Sequence, residues 1–222
     1  MPAPPPPLSH EHLIATLASG LEPVRRLPPP AVRAFEFMAM VGAATIILAW
    51  LSDLTAVERL LATTDMWLAA VGSTLTAALA ALAAFHLCLP DRSPAWALLP
   101  LPPALIWVAA SGLGCLRATL LPGTHDAGLS ESRDCLVFIL AVSAPLSAVL
   151  LVMLRRGFSL RPRLTAALGG LAAASAAATL LNFLHPFDAT ASDLAVHAAA
   201  VILVILANQA TAGRLLASPK SP

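Results

Sequence analysis

The chain has 222 residues and is strongly apolar, since 58% of its residues are hydrophobic and only 11% carry a charge. A formal net charge of +1 leaves no basic face of useful size, which excludes direct nucleic-acid binding. Three cysteines are too few for a disulfide scaffold. The composition is that of an integral membrane domain.

Residues 1–33 form a segment of a different kind, which we predict to be cytoplasmic. Ser9 is suited to cap a short helix, and Leu8 before it is placed to pack against Leu13. One face of this helix would carry the apolar stripe of Leu13, Ile14, Leu17 and Leu21.

Residues 22–30 then form a predicted stiff, proline-rich spacer that contains Arg25 and Arg26. A helix this short is marginal in water, so it must find the membrane, the inner loops of its own chain or a partner protein.

Six apolar stretches have about the 20 residues that a transmembrane helix needs. The predicted spans are Ala34–Leu51, Met66–Leu87, Trp96–Cys115, Cys135–Leu154, Leu164–Leu184 and Leu194–Thr211. Pro100, Pro102 and Pro103 fall in the third span, which should bend near its inner end, because a helix starting after Pro103 would be too short to cross. We therefore predict an all-α, polytopic membrane protein. Its six transmembrane helices would occupy residues 34–212, followed by a cytoplasmic tail at residues 213–222.

The distribution of basic residues fixes the predicted orientation. With the N-terminus inside, ten arginines and lysines lie on the cytoplasmic side and three on the outer side. The inner ones are Arg25, Arg26, Arg33, Arg92, Arg155, Arg156, Arg161, Arg163, Arg214 and Lys220, and the outer ones are Arg59, Arg117 and Arg133. Both termini should therefore face the cytoplasm.

The outer side would hold whatever chemistry the chain performs. Cys115 closes the third span and Cys135 opens the fourth, and in an oxidising compartment the two could pair. His125, His185 and His197 should lie on the same side, so soft thiolates and imidazoles could also hold a thiophilic cation. Because the spacing matches no standard metal motif, a structural disulfide or two unlinked thiols are the simpler alternatives to a metal site. We expect no resident cofactor, only a heavy-metal ion bound transiently.

The centres of the spans are almost without ionisable groups, which disfavours translocation. No Walker loop, HExxH, GxSxG or CxxC sequence is present, so no enzyme class is indicated. The fifth span, with Gly169, Gly170 and a run of alanines, is expected to be a central packing helix.

Several short segments, taken in order along nearly the whole chain, resemble the NrsF family of bacterial six-helix membrane anti-sigma factors. They are residues 13–18, 22–27, 89–93, 99–101, 154–162 and 169–172, with Trp96, Gly114, Cys115, Cys135, Leu136, Leu184, His185, Asp188 and His197. One departure concerns Pro186, because many relatives have a cysteine at this position, directly after the histidine that corresponds to His185.

The resemblance implies a function. It implies an inner-membrane protein that holds an extracytoplasmic-function (ECF) sigma factor through its N-terminus and releases it when outer cysteines sense stress. Carried onto this chain, the sigma-binding positions are Leu13, Leu17, Arg25 and Arg26, to which the apolar stripe adds Ile14 and Leu21. The sensor thiols are Cys115 and Cys135. The partners would be the sigma factor and the lipid bilayer, without a small-molecule substrate.

Two other functions are compatible with the residues alone. A metal-handling or small-solute transporter would use the outer histidines and cysteines as an entry site. A membrane thiol oxidoreductase is weaker, because it needs a closely spaced reactive pair of cysteines.

Overall fold

The computed structural model of the chain describes residues 9–20, 26–51, 58, 63–120, 129–183 and 191–217. Within these ranges the chain is helical and contains no strand. The elements in order are α1 (His10–Ser19), α2 (Pro30–Leu51), α3 (Thr64–Leu87), a 3-10 helix (Pro94–Leu98), α4 (Leu101–Leu120), α5 (Leu129–Leu154), α6 (Pro162–Asn182) and α7 (Ala191–Ala217).

The prediction of an all-α chain with six spans is confirmed. Six helical stretches of the described chain are long and apolar enough to cross a membrane, and the third of them combines the 3-10 helix with most of α4. These stretches are Pro30–Leu51, Thr64–Leu87, Pro94–Leu116, Arg133–Leu154, Pro162–Asn182 and Leu194–Leu216. They agree with the predicted spans to within a few residues, because hydrophobic length is a strong signal in sequence.

The third span begins irregularly, as its prolines suggested. Ser93 caps the 3-10 helix by accepting a hydrogen bond from the backbone N–H of Ala95. Pro100 follows in a turn, and α4 then starts at Leu101. Pro102 and Pro103 therefore occupy the first turn of α4, where a missing backbone N–H breaks no helical hydrogen bond. The bend predicted for this span would fall at this junction between the 3-10 helix and the α-helix.

Helix α6 lies at the centre of the bundle. It packs extensively against α3, α5 and α7, and 83% of its apolar stretch is buried inside the protein. Small side chains permit this packing: a Cβ atom on Gly170 would lie 3.0 Å from the Cα atom of Ile205 in α7. The same device joins α3 to α4, where a Cβ atom on Gly72 would lie 2.8 Å from the backbone nitrogen of Trp107. Close backbone approach of this kind stabilises helix pairs in lipid, where the hydrophobic effect between helices is weak.

Polar side chains inside the bundle tie helices together. The hydroxyls of Ser73 and Thr179 lie 3.0 Å apart across α3 and α6, and the Asn182 amide donates to Ser73 at 3.5 Å. Between α5 and α7, the Asn208 amide donates to the Ser147 hydroxyl at 3.0 Å. Each of these contacts satisfies polar groups that would otherwise face hydrocarbon, and each therefore contributes to packing.

Candidate functional site

Helix α1 is formed as a separate, exposed element. Ser9 caps it, since the backbone N–H of His12 donates to the Ser9 hydroxyl at 3.2 Å, and the helix ends at Gly20. The capping role predicted for Ser9 is thus confirmed, whereas its neighbour Leu8 lies outside the described residues. The helix contains no buried residue and is not among the described elements that pack extensively on others.

The described residues of the apolar stripe of α1 are exposed. Leu13, Ile14 and Leu17 are 44%, 65% and 64% exposed. Thr16 and Ser19 donate their hydroxyl hydrogens to backbone carbonyls of the same helix, at 2.8 Å in each case. The polar groups of these two side chains are therefore satisfied within α1. Three large apolar side chains on one side of a capped helix form a surface that a partner groove can bury.

The remaining predicted sigma-binding residues are only partly placed. Leu21 and Arg25 lie outside the described residues, and Arg26 is exposed just before α2. A role of any of these side chains in binding stays a prediction.

The start of α2 is fixed to the bundle through one arginine. The guanidinium of Arg33 lies over the Phe85 ring of α3, with Cζ 4.3 Å from the ring centroid, and donates to the Met153 carbonyl of α5. Arg33 is only 4% exposed. The sequence predicted no contact for this residue and indicated only that its charge lies on the cytoplasmic side. Its contacts hold three helices together where the N-terminal segment joins the bundle.

The loop from α5 to α6 is also firmly attached at this end of the bundle. The backbone N–H of Phe158 donates to the Cys88 carbonyl at 3.1 Å, and the Ser159 hydroxyl donates to the Leu87 carbonyl at the same distance. Gly157 allows the approach, because a Cβ atom there would lie 2.8 Å from the Cβ atom of Cys88. The basic loop is therefore held against the end of α3.

A ring stack closes the same end of α3. The His86 ring lies parallel to the Trp96 indole, with the ring centroids 3.7 Å apart. His86 therefore packs on Trp96 at this end of α3.

The two predicted sensor thiols lie in different surroundings. Cys135 is 5% exposed and belongs to a small core with Ile139, Ala177 and Ala200. Cys115 is half-buried near the end of α4. The structure contains no disulfide at any of the three cysteines. Helices α4 and α5 are not among the pairs that pack extensively in the described part of the chain.

Of the proposed metal ligands, the structure describes Cys115, Cys135 and His197. His125 and His185 lie outside the described residues. His197 is half-buried and lines a cavity of about 270 Å³ together with Trp107 and Asn182. Among the residues that the structure describes, no three His, Cys, Asp or Glu side chains form a group able to hold a metal ion. The metal site stays a prediction.

Comparison with known proteins identifies the family. No curated protein and no solved structure matches the chain. A family model described as "NrsF: Negative regulator of sigma F" matches residues 17–217. The matched range begins inside α1 and ends at the last residue of α7, so it includes the spacer and all six long apolar helices. The chain therefore belongs to the NrsF family, negative regulators of sigma F.

Proposed function

We propose that this protein is a membrane-bound anti-sigma factor that sequesters an ECF sigma factor through its cytoplasmic N-terminal segment. Its family supports negative regulation of a sigma factor and thus a regulatory protein rather than an enzyme. The observation that carries the proposal is α1, a capped helix whose Leu13, Ile14 and Leu17 are exposed and unburied by its own chain. An amphipathic helix that lays its apolar stripe into a groove is a common mode of protein recognition.

The spacer supports capture at a distance from the bilayer. Residues 20–29 separate α1 from α2, and a chain of ten residues spans at most roughly 35 Å. Arg33 fixes the membrane end of this spacer to Phe85 and Met153. A bound sigma factor would thus be held next to the inner membrane and away from RNA polymerase.

Co-purification tests the proposal. The full chain, tagged at the C-terminus and extracted in detergent, is expected to carry a sigma factor with it. The same chain without residues 1–29 should keep its six spans but bring down no sigma factor, and transcription of the target genes should rise. If both forms retain the same sigma factor, or if neither retains one, the proposed function is wrong.

Release is proposed to follow an envelope signal, redox or heavy-metal in nature, that acts on the outer thiols. Signal transfer then requires two helix arrangements that the thiol chemistry favours to different extents. Cys115 is the more accessible of the two cysteines, because it is half-buried whereas Cys135 is 5% exposed. A soft cation such as Hg²⁺ would be a transient ligand here and not a resident cofactor.

Substitution of the thiols tests this part separately. Cys115→Ser is expected to abolish induction of the target genes by oxidant or by heavy metal, while repression without a signal is unchanged. Cys135→Ser should weaken induction as well. Cys88→Ser is the matched control, because Cys88 lies at the opposite end of the bundle and its thiol contacts the Leu154 carbonyl. Normal induction in the double variant of Cys115 and Cys135 would exclude thiol sensing and leave sigma-factor capture untouched.

A further inference from the structure

A groove of about 720 Å³ runs between α2 and α5 at the end of the bundle where the N-terminal spacer enters. Its mouth is lined by Pro28, Arg33, Glu36 and Arg156. The two helices are not among the pairs of described elements that pack extensively, which leaves space between them. The proposed function does not use this groove.

The mouth of the groove carries uncompensated positive charge. Arg156 is exposed and Arg33 is buried, and both line the groove together with the single carboxylate of Glu36. Neither arginine forms an ion pair with any residue that the structure describes. Two guanidinium groups therefore face one carboxylate at the edge of a low-dielectric region, where an anion is attracted more strongly than in water.

The wall of the groove below these charges is apolar. Phe35 and Met40 on α2 are 73% and 43% exposed, and Val149 and Val152 on α5 are 37% and 61% exposed. Met40 lies seven residues beyond Arg33, and Val149 lies seven residues before Arg156, so the wall extends about 10 Å from the charges on both helices. An inorganic anion gains no binding free energy from contact with this apolar wall, whereas an acyl chain would cover the wall and bury it.

We propose that this groove binds an anionic phospholipid. The phosphate group contacts Arg156 and is attracted by Arg33, and one acyl chain lies along Phe35, Met40 and Val152. Basic pockets between transmembrane helices are known sites for acidic lipid head groups. This binding is independent of the sigma factor, so the proposal can fail without affecting the proposed function.

The test uses the purified full chain in neutral detergent. Phosphatidylglycerol is compared with phosphatidylcholine of the same acyl chains, by native mass spectrometry and by the thermal unfolding midpoint. We expect phosphatidylglycerol to be retained preferentially and to raise the midpoint more. Arg156→Gln should lower the ratio of bound phosphatidylglycerol to bound phosphatidylcholine by about fivefold, the effect of one basic residue at an acidic membrane surface.

Arg163→Gln is the matched control. Arg163 is exposed near the start of α6, and it does not line the groove, so its removal should leave the lipid ratio unchanged. Inorganic phosphate alone should not raise the unfolding midpoint. Equal retention of the two lipids, equal effects of the two substitutions, or full stabilisation by inorganic phosphate would each overturn the proposal.

Discussion

Replacing Ile14 and Leu17 by aspartate is expected to release the sigma factor from this protein and to raise transcription of its target genes in unstressed cells. The two side chains are 65% and 64% exposed in the structure, so most of their burial remains to be gained on binding. Full burial of such a side chain contributes about 1.5–3 kcal/mol, so two side chains that are two-thirds exposed account for about 2–4 kcal/mol. The dissociation constant should therefore rise by roughly 30- to 700-fold. A buried charge would weaken binding further.

The position of the substitution on the helix is what the experiment tests. Ala15→Asp adds the same charge to α1 on the side opposite to the apolar stripe and should leave binding nearly unchanged. Because every residue of α1 is exposed, none of the three substitutions disturbs the membrane domain. Binding is measured by titrating labelled sigma factor onto the purified chain in detergent. Equal loss from Ala15→Asp and Leu17→Asp would show that charge, and not the stripe, controls capture.

The features that the sequence predicted well are those with local causes. The start of α1 follows from the side chain of Ser9, which satisfies a backbone N–H three residues away. The six spans follow from hydrophobic length, and the irregular third span follows from Pro100, Pro102 and Pro103. The central position of α6 follows from its glycines and alanines, because small side chains are needed where a helix touches several neighbours.

The features that the sequence did not predict depend on contacts between distant segments. Arg33 is one of ten basic residues that are predicted on the cytoplasmic side. The neighbouring sequence does not indicate that Arg33 packs on Phe85 and Met153. The hydrogen bond from Phe158 to the Cys88 carbonyl joins two backbone atoms, so residue types do not predict it. The groove between α2 and α5 exists because those two helices pack on other neighbours, and pairings of that kind cannot be read from apolar stretches that resemble one another.

The two cysteines that are predicted to face outward, Cys115 and Cys135, show the same dependence on distant contacts. The sequence placed Cys115 and Cys135 at the ends of neighbouring spans, which suggested proximity. In the structure α4 packs mainly on α3, whereas α5 packs on α6 and α7, so α4 and α5 do not pack extensively on each other although they are consecutive in the described part of the chain. The proposed sensing role of Cys115 does not require a disulfide with Cys135.

The orientation of the chain in the membrane decides whether capture and sensing can both occur. The excess of arginine on one side predicts that α1 faces the cytoplasm, where a sigma factor is found, and that Cys115 faces the periplasm. Single cysteines at two exposed positions can separate the two orientations. Ser19 lies on α1, and Arg133 lies near the opposite end of the bundle, at the start of the fourth apolar stretch.

In a chain with Cys88→Ala, Cys115→Ser and Cys135→Ala, we expect Arg133→Cys to react with a membrane-impermeant maleimide in cells whose outer membrane alone is permeable. Ser19→Cys should react only after the inner membrane is also permeabilised. The effect is all-or-none, because a charged reagent does not cross the hydrocarbon core. Since both positions are exposed, a difference in labelling reports the side of the membrane and not burial. Labelling of Ser19→Cys before that step would place α1 outside, where it could not meet a transcription factor, and would overturn both capture and outer-face sensing.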